Sequence, residues 1–137
     1  MTANPSSVEL LLVCQKEACV AFEAALRAQD FPNAVRHFGD ASGVLAHLNG
    51  IPAGRRAVVI VDAAAEPGIG TIASLKDSVF DHVPAIALCG PGQEARAYEA
   101  GANAALDRAC WDTDVGRVAG AVGRFWLRVV TSPPVHA

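Results

Sequence analysis

No run of apolar residues in this chain approaches the roughly 18 that a membrane-spanning helix needs, and no stripe of basic residues gathers anywhere along it. Lys and Arg together number 11 against 14 Asp and Glu, for a formal charge of −3 and a pI near 5.7. A backbone of nucleic-acid phosphates would find no electrostatic footprint here. Met1 to Ser7 carries no basic stretch of the kind that opens a signal peptide, and the expectation is a cytoplasmic protein. Four cysteines (Cys14, Cys19, Cys89 and Cys110) show neither paired metal-site spacing nor the density of a small secreted scaffold, so reduced thiols are expected. The histidines His37, His47, His82 and His136 are scattered over different segments, which argues against a metal site. Gly68-Ile69-Gly70-Thr71 and Gly90-Pro91-Gly92 lack the lysine of a nucleotide-binding loop and read as turns. There is no internal repeat and no low-complexity tract.

What is present is ample material for one core. The chain has 137 residues, 52% of them hydrophobic and 18% charged, the balance of a single folded domain. Strand-like apolar runs alternate with helical patterns. Val8 to Val13 is the first strand, followed by a helix from Gln15 to Gln29 and a turn at Phe31-Pro32-Asn33. Ala34 to Phe38 is the second strand; a helix opening at Asp40 carries Val44, Leu45 and Leu48 and stops at Asn49-Gly50. Ala57 to Asp62 is the third strand and Thr71 to Asp77 the next helix. Pro84 to Cys89, a helix from Gln93 to Ala100, and the short strand Ala104 to Asp107 follow. The last helix, from Thr113 to about Val130, sets Val115, Val118, Ala119, Val122, Phe125, Trp126 and Val129 on one stripe of period 3.6. The expected organisation is a flexible N-terminus over 1–7, one domain over 8–130 and a loose tail over 131–137. Five βα units predict an α/β fold: a doubly wound, five-stranded parallel sheet of flavodoxin-like order 2-1-3-4-5 with five helices.

The run Ala57-Val58-Val59-Ile60-Val61-Asp62 is a strand buried on both faces that ends in a carboxylate. The C-terminal edge of such a sheet is where open α/β folds place their chemistry. Asp62 is therefore the first candidate site residue.

Five βα units with an aspartate closing the third strand resemble the receiver domain of two-component response regulators. Pro84 to Cys89 stands where receivers have a proline-led strand ending in Thr or Ser. Ala97-Tyr98-Glu99-Ala100-Gly101-Ala102-Asn103 is similar to the stretch before their fifth strand, and Leu106-Asp107-Arg108 sits where that strand ends in a lysine. Pro32-Asn33-Ala34-Val35 and the C-terminal Phe125-Trp126-Leu127-Arg128-Val129-Val130, followed by Pro133-Pro134, look like the single-domain regulators paired with bacterial phytochrome kinases.

The resemblance makes Asp62 the equivalent of the phosphoacceptor and exposes how much around it has changed. Two acids that hold Mg²⁺ in the family are replaced by Cys14 and Gln15. The hydroxyl that contacts the phosphoryl group corresponds to Cys89, a weak donor. The lysine corresponds to Arg108, and the aromatic that reports activation corresponds to Ala105, too small to switch. The loop glycine Gly70 is retained, and Lys16 could supply cation charge nearby. Mg²⁺ needs several hard, charged oxygen ligands, so its binding is expected to be lost or weak and no cofactor is expected. Asp62 is expected to pair with Arg108 or Lys16.

The expected function is that of an atypical receiver, not an enzyme, acting by protein–protein contact without Mg²⁺-dependent phosphorylation. One alternative is a phosphorelay regulator still phosphorylated on Asp62 by a sensor histidine kinase. Another is a small flavin- or nucleotide-binding protein on the same sheet, which the absorbance of a bound flavin would reveal. A homodimer is expected through the fourth helix, fifth strand and last helix, using Trp111, Trp126, Leu127 and Val130. Gly116, Gly120 and Gly123 are expected to let a second backbone approach.

Overall fold

In the computed structural model, residues 7–65, 67–129 and 133–136 are described. β1 (Val8–Val13), β2 (Val35–His37), β3 (Arg56–Asp62), β4 (Ala85–Cys89) and β5 (Ala104–Asp107) form one parallel sheet in the order β2-β1-β3-β4-β5. Between them run α1 (Lys16–Ala28), α2 (Ala41–Gly50), α3 (Gly68–Lys76) and α4 (Glu94–Glu99). The expected fold and strand order are therefore those observed.

The central strands are buried on both faces, and alternate residues separate two apolar layers. Leu11, Val13, Val59, Val61, Ala85 and Ala87 pack towards α2 and α3. Leu10, Leu12, Val58, Ile60, Ile86 and Leu88 pack towards Phe22 and Leu26 of α1. Glu9, a buried charge on β1, lies 3.1 Å from His47, 3.3 Å from Arg55 and 3.6 Å from Arg36, as burial of a carboxylate requires.

The C-terminal third departs from expectation. Among the described residues six α-helices are present where five were expected. Arg108–Thr113 forms its own short helix, α5, directly after β5, and α6 spans Val115–Val122. Two aspartates make the division: Asp107 accepts from Ala109 N–H at 2.9 Å, and Asp114 accepts from Arg117 N–H at 3.2 Å. Each side chain satisfies an otherwise orphaned amide at a helix start.

Beyond Val122 the chain continues as a π-helix, Gly123–Val129. A π turn holds one residue more than an α turn, so the inward stripe steps from Val122 to Leu127, five residues on, and both are buried at 2% exposure. Phe125, expected in the core, is 52% exposed. The ring of Phe31 fills the space where Gly123 has no side chain. That ring is delivered by Asp30, whose φ of 63° turns the chain after α1 so that Phe31 N–H donates to Leu26 O at 3.1 Å.

The tail is not loose over its described part. Val135 is buried in the α2–α3 layer, Val135 N–H donates to Arg55 O at 2.9 Å, and His136 bonds Leu48 O at 2.8 Å.

Candidate functional site

The site forms where β1 and β3 end. Val13, Cys14, Gln15, Gly39, Asp62, Ala65, Pro67 and Gly68 line a cavity of about 180 Å³ at the C-terminal edge of the sheet. Position 62 is held deep because β3 lies centrally between β1 and β4, leaving Asp62 only 4% exposed. The loop after β3 folds back tightly over it. A side chain at Gly68 would collide with the Asp62 carbonyl and the backbone of Ala63, whereas Gly70 has open space around it. The glycine demanded by sterics is thus Gly68.

Both oxygens of the Asp62 carboxylate are engaged. One accepts from Ala64 N–H at 3.1 Å. The other accepts from Arg108 Nη1 in a short charge-assisted contact. Arg108 also donates from Nε to Asp112 at 3.1 Å, one turn along α5. Burial on its own would lower the Arg108 pKa, but its bonds to Asp112 and Asp62 raise it above the ordinary value, so this guanidinium stays charged. The expected Asp62–Arg108 pairing is present. The other proposed partner, Lys16, is exposed and makes no ion pair among the described residues.

The remaining expected pocket residues divide. Cys14 and Gln15 line the cavity with Asp62; Cys89 and Ala105 do not. Cys89 lies at the buried end of β4, where burial first and the nearby Glu94 second push its thiol pKa up. Ala105, half-buried on β5, packs towards the α2–α3 layer.

The cysteines correct the expectation of four reduced thiols. Cys14, at the end of β1, and Cys19, in the second turn of α1, are joined as a disulfide with their Cα atoms 6.4 Å apart. Cys89 and Cys110 are free. Cys19 was not foreseen as a site residue, although its five-residue spacing from Cys14 across a strand-to-helix turn was the available signal. Asp112, the second anchor of Arg108, was also missed.

This donor set does not suit Mg²⁺. Among the described residues the cavity offers one carboxylate, already bonded to a guanidinium, beside a disulfide sulfur and an exposed amide, where the ion wants several charged oxygens. Among the described residues no group of three or more His, Cys, Asp and Glu side chains is gathered for a metal ion.

The expected interface residues are mostly interior. Trp111 is 3% exposed and stacks on Phe22 with ring centroids 4.5 Å apart. Leu127 lies in the core, and Trp126 is half-buried. Val130 lies outside the described residues. Gly123 is covered by Phe31 and Gly120 by Gln29 and Arg124 of the same chain, while only Gly116 stands clear of neighbours other than Asp114. These glycines seat internal contacts. In their place Phe125 and Trp126, with Leu106, Ala121 and Val122, border an apolar surface hollow of about 210 Å³.

No family model matches the sequence, and no curated protein matches it. Solved structures do, and they are response-regulator receivers, bacteriophytochrome regulators among them. The Mn²⁺-bound form of the response regulator Rcp1 is 20% identical, with 92% of this chain and 98% of that one aligned at a TM-score of 0.72. The phosphorylated cyanobacterial phytochrome response regulator RcpA is 18% identical over 91% of this chain and 97% of its own, at a TM-score of 0.74. The bacteriophytochrome response regulator AtBRR is 23% identical over 92% and 95%, at a TM-score of 0.64. At these identities the likeness is one of fold. No helix among the described residues is long and apolar enough to cross a membrane.

Proposed function

We propose that the chain is an atypical receiver that signals by protein–protein contact in a cytoplasm, is not an enzyme, and holds neither Mg²⁺ nor another cofactor. One observation carries this reading: both oxygens of Asp62 are already bonded, one to Arg108 and one to Ala64 N–H, while Cys14 and Gln15 occupy the wall from which a metal would be held. A phosphoryl acceptor needs its oxygen free and the developing charge neutralised by positioned cations. Here the nearest cation serves as the carboxylate's structural partner.

A second reading keeps Asp62 as a phosphoacceptor for a sensor histidine kinase. It is supported by the cavity that Asp62 lines and by a permanent cation beside it. An NMR titration with Mg²⁺ plus beryllofluoride, a phosphoryl mimic, separates the two. The first reading expects no saturable change at Asp62, Ala64 or Gly68. A stoichiometric beryllofluoride adduct on Asp62 would establish the second and retire the first.

We place the partner surface at one edge of the same fold. α4, which packs against the edge strand β5, exposes Tyr98 (53%), and Phe125 (52%) borders the hollow that it shares with Leu106 and Trp126. Exposed aromatics beside an apolar hollow are typical anchors of an interface. The homodimer is proposed across this face, with Phe125 in the role first given to Leu127.

A further inference from the structure

We propose that Cys14 and Cys19 form a reversible thiol–disulfide couple, a covalent exchange site that takes a thiol reductant or a small-molecule disulfide as co-reactant and resets the wall of the Asp62 cavity. The inference is independent of whether Asp62 accepts a phosphoryl group, because it concerns only two sulfurs and the loop they tie.

Three observations support it. The Cα separation of 6.4 Å lies inside the roughly 4.4–6.8 Å that a disulfide bridges, so bond and backbone are compatible in one conformation. The bond is also poorly placed as a staple. Cross-linking stabilises less the shorter the chain loop it closes, with a logarithmic dependence on length, and this one spans five residues between a fully paired strand and the helix that follows. His37 already bonds the Cys14 carbonyl at 2.7 Å. Finally, the bond sits at the functional edge: Cys14 and the next residue, Gln15, both line the cavity beside Asp62. Opening the bond releases that wall, whereas closing it pins the end of β1 to α1.

The two sulfurs differ in access. Cys19 is 5% exposed, while Cys14 is half-buried and reaches the cavity. An incoming thiolate therefore attacks Cys14 Sγ. A bond forms between the attacking sulfur and Cys14, the Cys14–Cys19 bond breaks, and Cys19 leaves as a thiolate that takes a proton from water. A second reductant thiolate then attacks the reductant's sulfur in the mixed disulfide and releases Cys14. The chain gains two electrons and two protons, and the reductant is oxidised to its disulfide. Oxidation runs the same exchange backwards with a disulfide such as oxidised glutathione.

The test equilibrates the full chain in glutathione buffers from oxidised to reduced, followed by acid quench, unfolding, alkylation and peptide mass mapping. Backbone amide spectra are recorded in parallel. In oxidising buffers Cys14 and Cys19 should be joined and unalkylated, with the buried Cys89 alkylated and the exposed Cys110 alkylated or glutathionylated. In reducing buffers all four should be alkylated. The amides of Gln15 and Gly68 should shift with the same midpoint, and Cys19→Ser should show the reduced-type spectrum in every buffer. Four free thiols throughout, or a link between any other pair, would overturn the couple. A bond that no glutathione ratio opens would make it a permanent staple, and a couple that titrates without moving the cavity amides would remove its connection to the site.

Discussion

Arg108, the first residue of α5, donates to Asp62, the last residue of β3, across the width of β4. Its Nε is simultaneously fixed by Asp112. The guanidinium thus ties two strand ends together and neutralises a carboxylate that is only 4% exposed. Removing Asp62 leaves Arg108 half-satisfied and partly desolvated. Asp62→Ala is expected to destabilise the fold by about 1–3 kcal/mol, at the lower end because Asp112 and partial exposure still serve the cation. Thermal unfolding of the variant checks this, and a transition at or above the parent's would contradict the structural role of the pair.

Mg²⁺ should not bind with useful affinity. The ion's preference for several charged oxygens meets, among the described residues, a single carboxylate whose two oxygens already accept from Arg108 and Ala64 N–H. Titration followed by amide shifts or by tryptophan fluorescence should give no saturable response through low-millimolar Mg²⁺. A saturable response centred on Asp62 would mean that the ion displaces Arg108.

Function at Asp62 should be recoverable by returning what is missing. Cys14→Glu with Gln15→Asp places two carboxylates in the cavity wall that those residues already line, and Cys89→Thr restores a hydroxyl at the end of β4. The first change also abolishes the disulfide, so Cys14→Ser is the control. The triple variant should be labelled by a small-molecule phosphodonor in the presence of Mg²⁺, with the parent and Cys14→Ser unlabelled. Equal labelling of parent and triple variant would show that the native site is already competent.

Much of this was legible in the sequence because doubly buried parallel strands leave an unambiguous mark: Val8–Val13, Ala57–Asp62 and Ala85–Cys89 are apolar runs that amphipathic elements do not produce. A carboxylate ending the middle run marked Asp62, and Arg108 at the end of the fifth strand was one of the two partners expected for it, Lys16 being the other. What escaped notice depends on phase and proximity. A 3.6-residue period cannot foresee that the helix turns π-helical at Gly123, where the Phe31 ring presses against it, so Phe125 and Leu127 exchanged inside and outside. α5 is too short to carry a periodic signal and is set by the caps Asp107 and Asp114. The Cys14–Cys19 bond depends on how a strand end lies over the start of the next helix, which the five-residue spacing permits but does not specify.

That exchange of phase gives a paired test of the interface. Leu127 is 2% exposed and packs among Val118 and Val122, whereas Phe125, two residues earlier, is 52% exposed beside Trp126, with ring centroids 5.4 Å apart. Leu127→Asp buries a charge with no partner and should cost several kcal/mol, yielding poorly folded protein whatever the oligomeric state. Phe125→Asp faces solvent and should leave the unfolding transition within about 0.5 kcal/mol of the parent's. Across a two-fold axis the same substitution brings two like charges to one patch, so it should convert the proposed homodimer into a folded monomer by sedimentation equilibrium. If the parent sediments as a monomer at every concentration, the dimer is ruled out. If the Phe125→Asp protein stays dimeric, pairing uses a face other than α4, β5 and the last helix.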